Sequence, residues 1–325
     1  PTDLIRFIPE SILNKITPML KTIFVPVVVE GLIAGDMEGI PSIVHIQSSG
    51  LFEDVADLNG IAIPCMYWDY IKSDETSRIP TFASGNGESE NVLYNIIRVL
   101  LEDSKDGEHV YIKELFQTMD PSNKSMSDYL YLANMYVAIQ ERLLFKIKQI
   151  DPLEYKWLSD DVITTCKERL DRVLGNEGVE HHELTILNHQ MEEDHRPIDS
   201  ILDHYQDISI GGTNGQPIKY RFKARLDMVT KESVWELKCC SQVTTDHMLQ
   251  VVIYAWLWRA IDPVSTKRMK LFNIKTGEIL ELVADMEQLT IIVVELIRGK
   301  YMRPEMLEDN EFVEGMRSIH GNITV

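Results

Sequence analysis

The chain has 325 residues, 44% of them hydrophobic, and a formal net charge of −19. That is enough material for two ordinary domains with apolar cores, and no stretch approaches the ~20 apolar residues of a membrane-crossing helix. The acidity excludes a protein that coats nucleic acid with its whole surface, but not an enzyme with a local basic groove.

The N-terminal PTDLIRFIPE lacks the basic start and apolar run of a signal peptide. It also begins without Met, as expected of a processed, shortened or excised chain. Residues 1–83 read as a mixed α/β region, with short strands at Ile23 to Val29 and Ile43 to Ile46 broken by Gly and Pro. The polar Ser84 to Glu90 reads as a loop or linker. Residues 91–174 read as helical. NVLYNIIRVLLED and SDYLYLANMYVAIQERLLFKIKQI repeat apolar residues at three- and four-residue steps, the second with Ser127 or Asp128 as N-cap. A third helix is expected over Asp160 to Leu174.

Residues 175–325 read as a separate core. A helix is predicted around Glu183 to Glu193, then a glycine-rich turn at Gly211 to Gly215. A strand from Ile218 to Val229 turns at Thr230 to Ser233 into a second strand, Val234 to Cys239. A strong helix over Asp246 to Ala260 and a hairpin from Leu271 to Leu282, turning at Thr276-Gly277, follow. Cys65, Cys166, Cys239 and Cys240 form no C-x-x-C pair. They suit a reducing compartment inside the cell, cytoplasm or nucleus, and no iron–sulfur cluster.

The chemistry concentrates on the two strands. Alternate strand residues share a face. Lys219, Arg221, Lys223, Arg225 and Asp227 therefore fall on one side, and Tyr220, Phe222, Ala224 and Leu226 on the other. Glu236 and Lys238 share a face of the second strand. Paired as a hairpin, the strands present Asp227, Glu236 and Lys238 beside a basic stripe. Adjacent carboxylates repel unless a divalent cation sits between them, and hard cations such as Mg²⁺ prefer oxygen ligands. A bound cation lowers the pKa of its water and stabilises charge on phosphate. Lys238 adds positive charge there, and the stripe offers phosphate contacts that position a strand without reading its sequence. The plainer reading is a solvated strand face with an ordinary ion pair.

In the following helix Gln250 and Tyr254 lie four apart and share a face, with His247 three residues earlier on the same side. The rest of that helix is apolar, and a buried Gln needs a partner.

RLDMVTKESVWELKCC followed by DHMLQVVIYAWLW resembles the RecB-like and lambda-exonuclease-like branch of the PD-(D/E)XK nucleases. There an Asp precedes an E-x-K strand and a Q-x-x-x-Y helix follows; here these are Asp227, Glu236-Leu237-Lys238 and Gln250 with Tyr254. NIKTGEI resembles the family's next strand. The resemblance covers about a third of the chain. It implies a restriction-endonuclease-like α/β core, a mixed central sheet flanked by helices, and Mg²⁺- or Mn²⁺-dependent hydrolysis of DNA. Asp227, Glu236 and the Leu237 carbonyl would hold metal, Lys238 would assist catalysis, and Gln250 and Tyr254 would support the site and contact substrate. The family places a further His or Glu upstream, often shortly after a Gly. His182, four residues after Gly178, is the choice, with His181, Glu183 and His189 as rivals. Exonuclease or end-processing activity on single- or double-stranded DNA is implied, often beside a helicase or another replication, repair or viral protein. A non-catalytic binding module and an RNA endonuclease of the same fold are the alternatives. Glu236→Ala and Lys238→Ala are expected to lose cleavage with little loss of folding, both side chains facing an open groove.

Other chemistries lack their motifs. There is no G-x-S-x-G elbow and no phosphate-binding G-x-x-x-x-G-K-[ST] loop.

Overall fold

The computed structural model describes residues 2–32, 34–78, 90–105, 107–187, 197–202, 204–205 and 221–301. The chain is α/β, with a mixed six-stranded central sheet flanked by helices. Its strands are β1 (Phe24–Pro26), β4 (Val179–Leu187), β5 (Lys223–Thr230), β6 (Ser233–Lys238), β7 (Arg268–Asn273) and β8 (Glu278–Leu282), in the spatial order β1-β8-β7-β6-β5-β4. Only β6 and β7 run parallel. A parallel pair requires a long crossover, which the helix between them supplies. β2 (Ile43–His45) and β3 (Phe52–Asp54) form a separate antiparallel ribbon.

The helices are α1 (Thr2–Ile5), α2 (Glu10–Ile23), α3 (Ala56–Arg78), α4 (Val92–Glu102), α5 (Val110–Gln117), α6 (Met126–Glu141), α7 (Phe145–Gln149), α8 (Asp160–Leu174), α9 (Pro197–Leu202), α10 (Thr245–Ile261) and α11 (Met286–Tyr301). Two cores lie on the two faces of the sheet. One joins α3, α4, α6 and α8 to Trp235, Leu237, Phe272 and Ile274. The other joins α1, α2, α10 and α11 to Val234, Met269, Leu271 and Leu282. Strict alternation along β6 therefore sends Val234, Glu236 and Lys238 toward α10, and Trp235 and Leu237 toward the helical layer. α10 is apolar all round because it lies under the sheet, with α11 and α2 packed on it.

The predicted strands and helices of the second and third regions recur, with differences of physical origin. The long helical run breaks after Glu141, where Arg142 adopts a left-handed φ of 57°. Ser125, not Ser127 or Asp128, caps α6, in a reciprocal box with Asp128. The helix predicted at Glu183 to Glu193 is corrected: Val179 to Leu187 form β4, antiparallel to β5, and residues 188–193 lie outside those described. The linker at 84–90 is described only at Glu90, and the glycine-rich turn at 211–215 not at all. In the first region Phe24 to Pro26 pair with Leu282 to Leu280, so these early residues join the central sheet. Among the described residues no helix is long and apolar enough to cross a membrane.

One half-buried carboxylate ties the far end of the sheet. Glu177, just before β4, accepts from Thr230 Oγ1 (2.6 Å), Ser233 Oγ (3.2 Å), Trp235 Nε1 (3.1 Å) and Lys270 Nζ (2.9 Å). It thereby joins the ends of β5, β6 and β7. Burial pushes its pKa up, but the hydrogen bonds from Thr230, Lys270 and Trp235 outweigh this and hold it below the ordinary carboxylate value. Lys270 is itself buried, so Glu177→Ala leaves a buried ammonium without its partner. We expect a loss of about 3–5 kcal/mol in urea unfolding. A carboxyl with a lowered folded pKa stabilises fully above its unfolded pKa and less as pH falls through the folded one. The gap between wild type and Glu177→Ala should therefore narrow below about pH 4; a gap constant from pH 3 to 7 would contradict this role.

Candidate active site

β5 and β6 are joined by a turn in which Ser233 N–H donates to Thr230 Oγ1 at 2.9 Å. Only Met228↔Trp235 and Val229↔Val234 pair in register, and beyond them the strands splay. The same register sets Asp227 opposite Glu236, at the mouth of the splay. Asp227 Oδ2 accepts from Leu237 N–H at 2.7 Å, taking the place of the ladder bond. Within a strand the N–H and C=O of such a residue point to the same neighbour, so the Leu237 carbonyl also faces the splay.

Glu236 is 2% exposed. Its Oε1 accepts from Lys238 Nζ at 2.6 Å, while Oε2 is buried with no hydrogen-bond partner among the described residues. Lys238 Nζ also donates to Gln250 Oε1 at 3.0 Å, and Gln250 Nε2 donates to the Tyr254 hydroxyl at 2.8 Å. One turn of α10 thus fixes Lys238 from above. The apolar helix carries a Gln because its amide links an ammonium to a phenol. His247 takes no part in that link; its side chain closes the cap of α10 with Thr244.

A third carboxylate joins from β4. Pairing places His182 opposite Met228 and Leu184 opposite Leu226, which sets Glu183 opposite Asp227. Glu183 has a left-handed φ of 54°, uncommon for a side chain of its kind and found mostly where the surroundings impose it. The cores explain it. Met228 packs with the helical layer, whereas Leu226, Ala224 and Ile186 pack with the α10 side, although strict alternation would put 228, 226 and 224 on one face. The β4–β5 ribbon therefore reverses its faces at Glu183 and Asp227, and both carboxylates come to lie between the two layers.

The consequence is electrostatic. Burial raises the pKa of Glu236 to about 8, with repulsion from Asp227 next in weight and Lys238 opposing. Burial raises Asp227 as well, against the pull of Lys238 and the Leu237 N–H. Glu183 is pushed up by burial, then by Asp227 and Glu236. Burial disfavours the charge on Lys238, but Glu236 and Asp227 outweigh it and hold the ammonium charged. Three crowded carboxylates with too little compensating charge favour either a shared proton or a cation.

The other candidates from the sequence fall elsewhere. His182 is turned away from the carboxylates: its ring stacks on Trp68 (5.6 Å, 18°), its Nε2 lies 3.7 Å from Cys65 Sγ, and burial pushes its pKa down to about 3. Of its rivals, Glu183 lies opposite Asp227, His181 is exposed and His189 lies outside the described residues. The continuous basic stripe is also corrected. Arg221 precedes the strand and is exposed, Lys223 is exposed at its start, and Lys219 lies outside the described residues. The face reversal sends Arg225 to the helical layer, where its Nε lies 2.6 Å from Glu183 Oε2 and its guanidinium carbon 4.6 Å from the centre of the Tyr136 ring. Tyr136 carries no signal of its own in the sequence, where it is one more large residue on a core helix.

Among the described residues no three His, Cys, Asp or Glu side chains already form a cation cage. The donor set nonetheless fits a hard divalent ion: carboxylate oxygens of Asp227, Glu236 and Glu183, a main-chain carbonyl, and a buried carboxylate oxygen lacking a partner. No family model, curated protein or solved structure matches the chain.

Proposed function

We propose that the chain is a divalent-cation-dependent nuclease with a restriction-endonuclease-like core, a member of the RecB-like and lambda-exonuclease-like branch of the PD-(D/E)XK superfamily. One observation carries this reading. Asp227 and Glu236 lie side by side across two splayed strands, and Lys238 is bonded to Glu236 and held by Gln250. An ordinary surface ion pair does not explain a buried carboxylate oxygen that has no N–H or hydroxyl donor among the described residues and lies beside two other acids.

Asp227, Glu236, Glu183 and the Leu237 carbonyl would hold Mg²⁺ or Mn²⁺, which supplies a Lewis acid for a phosphate oxygen and acidifies a bound water. Lys238 then places its ammonium where negative charge develops on the phosphodiester. Gln250 and Tyr254 keep that ammonium from rotating away, so little reorganisation is needed at the moment of reaction. Asp227 is fixed by the Leu237 N–H, which leaves its other oxygen for the cation. DNA is the proposed substrate, with exonuclease or end-processing activity beside a helicase or another repair or replication protein.

Incubation of the purified chain with labelled single-stranded DNA, duplex DNA and RNA, in Mg²⁺, Mn²⁺ or EDTA, tests the reading. Cleavage of DNA that needs the cation is the expected result. Cleavage of RNA alone would move the assignment to a ribonuclease of the same fold. No cleavage of any substrate in Mn²⁺ would reduce the site to a binding module.

A further inference from the structure

Arg225 is held on two sides. Its Nε contacts Glu183 Oε2 at 2.6 Å, without the alignment of a hydrogen bond, and its guanidinium carbon lies over the Tyr136 ring, 4.6 Å from the ring centre. Tyr136 belongs to α6, whose residues Tyr129, Leu130 and Leu132 to Ile139 are all buried, so the ring sits on a rigid support. Tyr136 itself is 6% exposed, and its hydroxyl is buried without a partner among the described residues.

The two contacts do not serve equally if Glu183 is a cation ligand. A carboxylate that turns to a cation releases the guanidinium, and a desolvated Arg with no other hold would reorient. The ring contact does not depend on Glu183. A cation over a ring is attracted by the negative face of the π-system, and this favours one orientation of the guanidinium. A ring contact uses none of the guanidinium's N–H donors, and those donors are the part that fits a phosphate with two parallel hydrogen bonds. The two terminal nitrogens of Arg225 have no hydrogen-bond acceptor among the described residues.

We propose that Tyr136 is a positioning residue, by which the helical layer holds the Arg225 guanidinium between the layers so that its terminal nitrogens receive a phosphate of the bound strand. This rests on the nuclease reading for the identity of the ligand. It makes the helical region, which carries no catalytic motif of its own, part of the substrate site.

The probe is a fluorescently labelled deoxyoligonucleotide, its binding followed by anisotropy in EDTA and in Ca²⁺ over a series of salt concentrations. Loss of one phosphate contact lowers the slope of log K against log salt by about one. Arg225→Gln and Tyr136→Leu should each lower the slope by about that amount and weaken binding about tenfold. Their combination should be no weaker than either alone, and Tyr136→Phe, which keeps the ring, should retain most of the affinity. A merely structural residue would not change the salt slope. Should Tyr136→Leu fail to fold, Tyr136→Met serves in its place. An unchanged slope in the Leu or Met variant, multiplying losses in the double variant, or a Phe variant as weak as Leu overturns the proposal, as does a wild type that does not bind the oligonucleotide. If the wild type binds with this dependence on Arg225 and Tyr136 but does not cleave in Mn²⁺, the nuclease reading fails while this inference stands. If it cleaves and the slopes do not move, only this inference fails.

Discussion

Glu236→Gln is expected to lower cation-dependent cleavage by about 10³-fold, while leaving the metal-free protein as stable as the wild type or more so. On the proposed function, the first effect follows from removing a charged cation ligand where the reacting phosphate would be stabilised, comparable to losing a preorganised electrostatic group. The second follows from burial. Glu236 is 2% exposed and its pKa is raised to about 8, by burial first and by Asp227 second. For an acid whose folded pKa lies above its unfolded value, the native state binds more protons over that interval, so stability falls as pH rises from about 4.5 to 8. A neutral amide of the same shape removes this penalty, and it leaves Lys238 an amide oxygen as acceptor, Gln250 Oε1 as a second and Asp227 as countercharge, unlike the truncation of Glu177. Thermal unfolding in EDTA at pH 6 and pH 8 should show the wild type losing stability at the higher pH and Glu236→Gln losing less. Mn²⁺ should recover the loss at pH 8 in the wild type alone, and titration calorimetry should show weakened Mn²⁺ binding in the variant. Wild-type cleavage by Glu236→Gln, or a variant that unfolds well below wild type in EDTA, would remove Glu236 from the set of cation ligands.

The parts of this site legible in the sequence are those that local periodicity controls. Asp227 and Glu236 with Lys238 follow from a two-residue period and a short turn; Gln250 and Tyr254 follow from helical spacing. Which of His182 and Glu183 turns toward Asp227 is not legible, because they differ by one position and hence by opposite faces. Which face turns inward is decided by the reversal of the β4–β5 ribbon, and that depends on two cores assembled from distant segments. Nothing local to VEHHELT announces a left-handed Glu, and so polar a segment reads as a helix or a loop before it reads as a strand. The same reversal moves Arg225 out of the expected basic stripe and onto Tyr136. The place of β1 is hidden for another reason: Phe24 pairs with Leu282, a contact between opposite ends of the chain that no window of sequence contains. α3 presents apolar residues on several sides, Leu58, Ala62, Ile63, Cys65, Met66 and Tyr67 among them, so it lacks the single stripe that marks an amphipathic helix.

Lys238→Met is expected to abolish cleavage and also to destabilise the fold, in contrast to the small folding effect that an open groove would imply. Lys238 supplies an ammonium to Glu236 at 2.6 Å, within a site that also holds Asp227 and Glu183. Removing one partner of a buried pair costs about 3–5 kcal/mol, because the remaining charge is left in a medium that solvates it poorly. The thioether fills the space of the side chain, so the loss measures charge more than volume. Two comparisons separate this from a general packing defect. The deficit should shrink as pH is lowered from 8 toward 6, since a carboxyl with a raised pKa takes up a proton there and no longer needs the ammonium. Adding Glu236→Gln to Lys238→Met should restore much of the stability, since replacing both charges of a buried pair is close to neutral, yet it should restore no cleavage. A deficit in urea unfolding independent of pH, or a double variant no more stable than Lys238→Met, would mean that Lys238 is held for its shape, and the ammonium would lose its place in the proposed chemistry.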